Sequence, residues 1–324
     1  MAERTTRPRV LLVGLGTTTA SAYDALRDRF DVVALVRPGD DAVVTTARAD
    51  GVEVHDDTRL SAVVDLVERT TPDAVVVSSY DRILPADVVT AVPCINVHYA
   101  PLPRYRGRAT VNWAIINGEP ETAITVHCLE PGLDAGGVLV QVPVAIGPDS
   151  TTASLYAELD ALQRRHLADA VERRLGGDRG EVQDESEATY ACSRVPGDGE
   201  IDWRATTAEV DRLVRALGDP FPPAFTHLGT ERIEVLRAAP VADAPVHVGR
   251  VPGRVIRVDR AVGHVDVLTG DGVLRLLAVA GGSAGPTRPA DLITSVRHTL
   301  VSGVEARLAS LEQRLATIQS EVRS

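Results

Sequence analysis

The chain predicts an open, doubly wound, mostly parallel α/β sheet, then a small C-terminal β-barrel of OB-like type, then a C-terminal heptad helix. Three observations support this fold class. Apolar strands alternate with helices over residues 9–177, period-two strands separated by Gly/Asp turns fill 224–281, and apolar residues recur every three or four positions to the chain end. Alternating strands and helices are typical of layered α/β sheets, and evenly spaced short strands are typical of barrels.

The composition bounds the class of protein. The chain has 324 residues, 44% hydrophobic and 24% charged, which suits a globular protein of two domains. Its formal net charge of −11 argues against a broad nucleic-acid-binding face, because such binding depends on neutralising phosphates with cationic side chains. No apolar stretch reaches about 18 residues and the N-terminus is polar. We therefore expect no transmembrane helix, no signal peptide and a cytoplasmic location.

The cysteines give no framework for a metal or a disulfide. Cys94, Cys128 and Cys192 are odd in number and far apart, and no CxxC pair exists. A zinc site and a disulfide framework are therefore not expected, and no metal is predicted. Free thiols suit a reducing compartment.

The N-terminal elements follow one another in the order of a doubly wound sheet. Apolar runs ending in glycine or polar residues predict buried strands, and segments with helical spacing predict the helices between them. The predicted strands are 9–16, 31–36, 73–79 and 94–98, and the predicted helices are 17–30 (with a Thr cap), 59–72 and 85–92. Ligands bind at the carboxyl ends of the strands in such sheets.

A second block completes the N-terminal domain and leads to the C-terminal one. It predicts a helix at 109–118, strands at 122–129 and 136–146, a long amphipathic helix at 152–177 and a capped helix at 200–217. The acidic, polar stretch at about 176–199 is interpreted as a linker. The predicted domains are 1–190 for the α/β domain, 200–290 for the barrel-like domain and 291–324 for the helix.

The last helix carries a heptad pattern. Its a and d positions are apolar over about three heptads, namely Val301, Val304, Leu308, Leu311, Leu315, Ile318 and Val322. Arg307 and Glu312 fall at a g position and the following e position, where they could pair between parallel chains. We expect a homo-oligomer formed through this helix, with its order open. A helix packed on its own domain is the alternative.

A glycine turn follows the first strand. The segment GLGTTT suggests dinucleotide binding, but Thr19 stands where the third glycine of G-x-G-x-x-G would be. The end of the second strand offers Asp40 and Asp41 only after a Pro-Gly turn. A tight strand-to-helix turn is the preferred interpretation, and a nucleotide-dependent oxidoreductase is the alternative that rests on this turn alone.

The strongest chemical signal is INVHYAPLPRYRGRATVNW, residues 95–113. Asn96 and His98 lie two apart at a strand end, so they share one face and can converge on a point. Pro101 and Pro103 stiffen the loop that follows, and its arginines suit an anionic group. Further on, Asp134 stands among glycines just before another strand.

Residues 95–141 resemble the signature region of the folate-dependent formyltransferases, a family that includes methionyl-tRNA formyltransferases and sugar-nucleotide N-formyltransferases. The shared pattern is N-x-H, L-P-x-Y-R-G, a helix, T-x-H and L-D-x-G. Residues 188–229 resemble the link and the opening of the C-terminal domain of the methionyl-tRNA and aminoarabinose-type enzymes. The resemblance covers residues 9 to about 285 and implies a Rossmann-like catalytic domain. Two departures stand out, Tyr99-Ala100-Pro101 after the histidine and Gly137 where the family often has Asp.

The resemblance implies an enzyme that transfers a formyl group from N10-formyltetrahydrofolate, a one-carbon donor, to a primary amine. The family triad falls on Asn96, His98 and Asp134. Asn96 and protonated His98 can stabilise an oxyanion, and His98 can carry protons. The implied cofactor-binding residues are Tyr80, Asp81, Arg82, Ile83, Leu84, Asp134, Ala135, Gly136 and Gly137. The implied acceptor-binding residues are Tyr99, Tyr105, Arg106, Gly107 and Arg108.

Three acceptors compete within this resemblance. The arginine loop favours a nucleotide-linked amino sugar, with Arg106 and Arg108 on a diphosphate. A small amino-acid-derived amine such as hydroxyornithine is the second. Methionyl-tRNA is the third, disfavoured because the basic insertion of the tRNA-type enzymes is replaced by a segment with little positive charge, residues 37–57. A formyl-folate hydrolase or a non-catalytic folate-binding module remains the alternative of another class.

Overall fold

The computed structural model describes residues 7–282 and 285–323, and the chain forms two compact units. The first unit comprises Met1–Val111, Pro120–Ile146 and Ser154–Ser193. The second comprises Asn112–Glu119, Gly147–Ala153 and Arg194–Ser324.

The first unit is built on a mostly parallel sheet. Its strands are β1 Arg9–Val13, β2 Asp31–Val36, β3 Glu53–His55, β4 Ala74–Ser78, β5 Cys94–His98, β6 Arg106–Gly107, β7 Glu121–Cys128, β8 Val138–Ala145 and β9 Tyr190–Ala191. Seven of them form one sheet in the order β3-β2-β1-β4-β5-β7-β8, and β6 pairs with β9 alone. The helices that begin within residues 7–175 are α1 Thr19–Leu26, α2 Ala42–Ala49, α3 Leu60–Thr70, α4 Ala86–Ala91, α5 Thr110–Asn117 and α6 Thr152–Leu175. Residues 112–117 of α5 and 152–153 of α6 belong to the second unit.

Burial explains the parallel centre of this sheet. Every residue of β4 is buried, as are four of the five in β1, so these strands are covered on both faces as parallel strands in α/β folds require. β7 and β8 are antiparallel and form one edge. The predicted doubly wound, mostly parallel sheet is confirmed.

The sequence does not predict the helix α2 or the edge strand β3. The side chain of Asp41 caps α2 by accepting from the backbone N–H of Val44. β3 is only three residues long and pairs with β2 at the sheet edge, so its period-two signal is minimal. The strand predicted third is therefore the fourth in chain order. The predicted Thr cap of α1 is wrong, because Thr18 Oγ1 bonds the hydroxyls of Ser78 and Ser79 instead.

The second unit is built on an antiparallel sheet. Its strands are β10 Ala224–Leu228, β11 Glu231–Pro240, β12 Val255–Asp259, β13 His264–Leu268, β14 Val273–Gly281 and β15 Leu300–Val301, in the order β12-β13-β14-β11-β10-β15. Backbone hydrogen bonds from Val255 N to His298 O and from Leu300 N to Gly253 O link its two edges. The helices that begin after residue 200 are α7 Thr207–Ala216, α8 Pro289–Leu292 and α9 Gly303–Arg323. The predicted cap of α7 is a capping box of Thr206 and Glu209. The OB-like type stays a prediction.

The last helix begins later than predicted. α9 starts at Gly303 rather than at 291, because Leu300 and Val301 pair with β10 as a strand. Val301 therefore lies outside the helical seam, and the side chain of Val322 lies outside the described residues. Among the described side chains, Ala306 is buried whereas Val304, Leu308, Leu311, Leu315 and Ile318 are each more than half exposed. In the described part of the chain, no helix is long and apolar enough to cross a membrane.

Candidate active site

Asn96 and His98 reach the same side of the sheet from β5. β5 pairs with β7 so that Asn96 faces His127 and His98 faces Thr125. Side chains two apart on a strand share a face, so the imidazole and the amide point to one region. His98 is only 8% exposed, and Asn96 is half-buried. The site is therefore largely shielded from bulk water.

Asp134 joins this pair from the loop between β7 and β8. Asn96 Nδ2 lies 3.4 Å from Asp134 Oδ1, and His98 Nδ1 lies 3.8 Å from Asp134 Oδ2. The backbone N–H of Gly107 donates to the same Oδ2 at 2.8 Å and so orients the carboxylate. Asp134 itself has φ +49°, a left-handed conformation that costs energy for a residue with a side chain. The structure thus brings together the three residues predicted to be catalytic.

The hydrogen bonds of His98 define where it can take a proton. Its Nε2 lies 2.8 Å from the carbonyl oxygen of Tyr105, so Nε2 carries the hydrogen and donates. Nδ1 is then the nitrogen free to accept a proton, and it faces Asp134. A proton taken up at Nδ1 can be passed on from the same atom, so His98 can act in turn as base and acid.

His127 is a site residue that sequence reasoning missed. It is fully buried, its Nδ1 donates to Cys128 O at 2.8 Å, and its Nε2 accepts from Asn96 Nδ2 at 3.1 Å. Burial lowers the pKa of His127 well below its usual range, and this effect outweighs the nearby Asp134 carboxylate. A neutral His127 therefore holds the Asn96 amide. The T-x-H spacing of Thr125 and His127 was the available signal, since it repeats N-x-H on the adjacent strand.

The loop between β7 and β8 carries Asp134 and is called the acid loop here. Its glycines allow it to pass close to the backbone of neighbouring segments. A Cβ on Gly136 would collide with Cys128 O, and one on Gly137 would collide with Arg179 O. The departure from the family pattern at Gly137 is therefore matched by the close approach of residues 179–180, against which an Asp would not fit. Leu133, in the same loop, exposes 43% of its surface and offers an apolar contact.

The segment predicted to line the folate pocket follows β4. Tyr80 donates through its hydroxyl to Thr58 O at 2.9 Å, Asp81 and Arg82 are exposed, and Ile83 is 65% exposed. Leu84 is buried in the core beneath the sheet. Ile83 is thus the apolar side chain of this segment that is available to a flat ring system. The assignment of Tyr80–Leu84 and 134–137 to the folate remains a prediction.

The side chain of Tyr99 lies against α6. It is buried, and its hydroxyl lies 2.5 Å from Asp160 Oδ1 and 2.6 Å from Gln163 Oε1, both on α6. Burial and the Asp160 carboxylate raise the pKa of Tyr99. The predicted acceptor-binding role of Tyr99 is therefore corrected: the side chain anchors the strand end to a helix.

Arg106 differs from its prediction in the same way. Its side chain is 2% exposed and pairs with Glu185 at 2.6 Å, and its Nε and Nη2 also donate to Gln183 Oε1. An already paired guanidinium is not free to hold a diphosphate, so the acceptor role predicted for Arg106 is corrected. Arg108 is exposed. Tyr105, Gly107 and Ala109 all have positive φ between +56° and +107°, so the loop is tightly curled between Arg106 and Arg108.

The glycine turn after β1 is filled by the protein itself. Arg37 Nη1 donates to Gly16 O at 2.7 Å and to Thr19 Oγ1 at 3.0 Å, and Arg37 Nε donates to Asp41 at 2.8 Å. This guanidinium lies on the loop oxygens at the start of α1, where a pyrophosphate sits in dinucleotide-binding proteins. The geometry favours the tight-turn interpretation over the oxidoreductase. In the described residues, no group of three or more His, Cys, Asp or Glu side chains could hold a metal ion.

Family profiles match both halves of the chain. The profile described as formyl transferase matches residues 35–171, and the profile described as formyl transferase, C-terminal domain, matches residues 195–295. Similar curated proteins include a methionyl-tRNA formyltransferase of Myxococcus xanthus, 32% identical over 94% of this chain and 99% of that protein. Another, from Marinobacter nauticus, is 36% identical over 72% of this chain and 74% of that protein.

Solved structures share the fold. HypX from Aquifex aeolicus, in complex with tetrahydrofolic acid, superposes with a TM-score of 0.66 at 20% identity and covers 90% of this chain. The match spans about half of HypX, 48% of its length. A sugar N-formyltransferase from a Shewanella species superposes with a TM-score of 0.54 at 20% identity, over 67% of this chain and 92% of that one.

Proposed function

This chain belongs to the formyl transferase family, and we propose that its acceptor is the primary amine of a small molecule. It is a folate-dependent formyltransferase that takes the formyl group from N10-formyltetrahydrofolate. The geometry of Asn96, His98 and Asp134 supports the transfer, and the charge of the chain supports the class of acceptor.

The site geometry supports a two-stage transfer. The amine lone pair attacks the formyl carbon and forms a tetrahedral centre whose oxygen becomes negative. Asn96 can donate to that oxygen by giving up its long, 3.4 Å contact with Asp134. His98 takes the proton of the attacking nitrogen at Nδ1 and delivers it to N10 of the folate. The bond between N10 and the formyl carbon then breaks, leaving a formamide and tetrahydrofolate.

One observation carries the choice of a small acceptor. The connection between β2 and α2 is only the five residues Arg37–Asp41, two of them acidic, and its one arginine bonds Gly16, Thr19 and Asp41. Binding a tRNA needs several unpaired cations along its phosphates. This connection supplies none, and the chain carries a net charge of −11.

Among small acceptors, we propose a nucleotide-linked amino sugar. Arg108 is exposed on the loop that follows His98 and can meet a phosphate. Arg106 is bound by Gln183 and Glu185, which favours a second candidate, an amino-acid-derived amine such as hydroxyornithine. Such an amine has no diphosphate and does not need two arginines to bind it. Methionyl-tRNA is a third candidate, because the relative from Myxococcus xanthus that matches over 99% of its length is a methionyl-tRNA formyltransferase.

A comparison of acceptors tests the proposal. The full chain is incubated with N10-formyltetrahydrofolate in four separate reactions. These contain a nucleoside-diphosphate amino sugar, N5-hydroxyornithine, methionyl-tRNA or no amine. Formylated product mass and tetrahydrofolate release are both measured. We expect a formamide from a small amine and little release in the blank. Turnover with methionyl-tRNA alone would overturn the small acceptor, and equal release without amine would identify a hydrolase.

We also propose that α9 pairs with α9 of a second copy in parallel. Its exposed seam of Val304, Leu308, Leu311, Leu315 and Ile318 faces away from the buried Ala306. The flanking e positions hold Glu305 and Glu312, and the g positions hold Arg307 and Arg314. In a parallel pair Arg307 meets Glu312 of the other copy, whereas an antiparallel pair places Arg314 against Arg314 or Glu312 against Glu312.

Sedimentation of the full chain tests this pairing. We expect Arg307→Glu to weaken association, and the double variant Arg307→Glu, Glu312→Arg to restore it, because the exchanged charges again face each other. Leu311→Glu serves as the variant that should abolish it. A monomeric wild type, or association that the charge exchange leaves unchanged, would overturn the proposal.

A further inference from the structure

We infer that Gln183, in the segment between α6 and α7, is a positioning residue for formyl transfer. This inference rests on the proposed roles of Asn96, His98 and Asp134. Gln183 lies 49 residues from Asp134 and 77 from Arg106 in the sequence, yet it bonds both. The segment predicted to be a linker therefore forms part of the structure around the site.

Each polar atom of the Gln183 side chain has a specific partner. Its Nε2 donates to Asp134 O and to Gly136 O, both at 2.7 Å. Its Oε1 accepts from Arg106 Nε at 3.2 Å and from Arg106 Nη2 at 2.8 Å. Gln183 is only 7% exposed. A buried amide with all four hydrogen bonds made fixes its neighbours, because losing any partner leaves a buried polar group unsatisfied.

Two of the groups that Gln183 bonds help to set the position of the Asp134 carboxylate. The first is the backbone of Asp134 itself, which is held at φ +49°. The second is Arg106, whose neighbour Gly107 donates its N–H to Asp134 Oδ2 at 2.8 Å. One side chain thus holds both the main chain and the hydrogen-bond donor that aim this carboxylate at His98.

The surrounding contacts keep this arrangement rigid. Arg106 forms a bidentate pair with Glu185, at 2.6 and 2.9 Å, and lies over the ring of Tyr190. β6 also pairs with β9, with Arg106 opposite Tyr190. Buried Arg106 is therefore neutralised and hydrogen-bonded by the same segment that carries Gln183, as a buried charge requires.

The test replaces the hydrogen-bond donors of the Gln183 side chain and keeps the size and shape of that side chain. Gln183→Glu retains an oxygen toward Arg106 but places a carboxylate oxygen against the carbonyls of Asp134 and Gly136. We expect kcat to fall about tenfold or more, because a displaced catalytic group loses alignment, while KM for folate and for the amine changes less than about twofold. Gln183→Leu, which removes both sets of bonds, is the second variant and should lower kcat at least as far.

Two matched controls separate positioning from mere support. Asp184→Ala alters the neighbouring residue, whose carboxylate accepts from the backbone N–H and the hydroxyl of Ser186, and should leave kcat unchanged. Gln163→Leu removes another fully buried glutamine of the same unit, which bonds Tyr99, Thr18 and Ser78. It should lower the melting temperature without the kcat loss.

The outcomes distinguish this inference from the proposed function. A folded Gln183→Glu that keeps wild-type kcat, or a Gln163→Leu that loses as much kcat as the Gln183 variants, would overturn the positioning role. Full amine-dependent turnover in His98→Ala would instead overturn the proposed catalytic site. Enzyme concentrations are normalised to bound folate in every assay, so a fall in folded fraction does not count as a fall in kcat.

Discussion

Two turns at the carboxyl ends of parallel strands differ in what fills them. The turn after β1 holds Arg37, which bonds Gly16 and Thr19 and pairs with Asp41. The turn after β5 holds His98, whose Nδ1 faces Asp134 at 3.8 Å without a close hydrogen bond. Both turns lie where ligands bind in sheets of this kind. Only the second leaves polar atoms available for chemistry.

The difference shows that position in a fold does not by itself make a site. At the β1 turn all three guanidinium nitrogens of Arg37 donate to groups of the protein, so this turn has a structural role. At the β5 turn the contacts between Asn96, His98 and Asp134 are 3.4 to 3.8 Å, longer than good hydrogen bonds. Such loose contacts between polar groups are typical of sites that tighten when substrate binds.

The largest effect should come from the β5 turn. His98→Ala removes the proton carrier, so we expect amine-dependent formyl transfer to fall about 10²- to 10⁴-fold in the folded enzyme. Release of tetrahydrofolate in the presence of the acceptor measures it, and tetrahydrofolate binding serves as the control. Unchanged turnover in this variant would show that the two turns do not differ in function.

A pH effect should come next, from His127 beneath the β5 turn. Its pKa is lowered by burial, so below about pH 6.5 the unfolded chain takes up a proton at His127 that the folded chain does not. Stability is therefore expected to fall as pH drops, by up to about 1.4 kcal/mol per pH unit from this group. Urea unfolding at several pH values measures it. His127→Asn should have a flatter slope, and an identical slope would contradict the assignment.

The β1 turn should respond in stability alone. Arg37→Met removes donors to Gly16, Thr19 and Asp41, and we expect a loss of about 2 kcal/mol in the free energy of unfolding. Formyl transfer should stay at the wild-type rate once the variant is folded. Chemical denaturation and the transfer assay together check it. A large loss of kcat here would mean that this turn serves the reaction after all.

The smallest effect is expected at Tyr99, between the site and α6. Tyr99→Phe removes the hydroxyl that contacts Asp160 and Gln163, and about 1 kcal/mol of stability should be lost. KM for the amine should not change. A raised KM with unchanged stability would instead support the original prediction that Tyr99 contacts the acceptor.

Local patterns predicted much of the fold and the central residues of the site. Period-two spacing placed Asn96 and His98 on one face of β5, and the run of buried apolar residues identified β4. Such signals are contained within a few residues of sequence. The family resemblance added Asp134, which no local pattern tied to β5.

What the sequence could not predict depends on distant partners. The sequence places Arg106 on a diphosphate because its partners Gln183 and Glu185 lie 77 and 79 residues away and are not visible in the local pattern. The sequence predicts that Tyr99 binds the acceptor because its partners on α6 lie 61 and 64 residues away and leave no local signal. α2 and β3 were missed because each is short and marked only by one capping Asp or three strand residues. Charge and polarity alone do not reveal whether a side chain is already paired.

The pairing of β6 with β9 sets where this protein can be recombined with its relatives. Residues 172–194 lie between the two matched family domains, yet they include Gln183, Glu185 and Tyr190, which bond Arg106. A chimera joined at residue 171 would separate the acid loop and Arg106 from the segment that holds them. A chimera that exchanges the C-terminal domain and keeps the native catalytic rate therefore needs a junction beyond Ser193. The segment that must stay with the catalytic domain is longer than the matched family domain, which ends at residue 171.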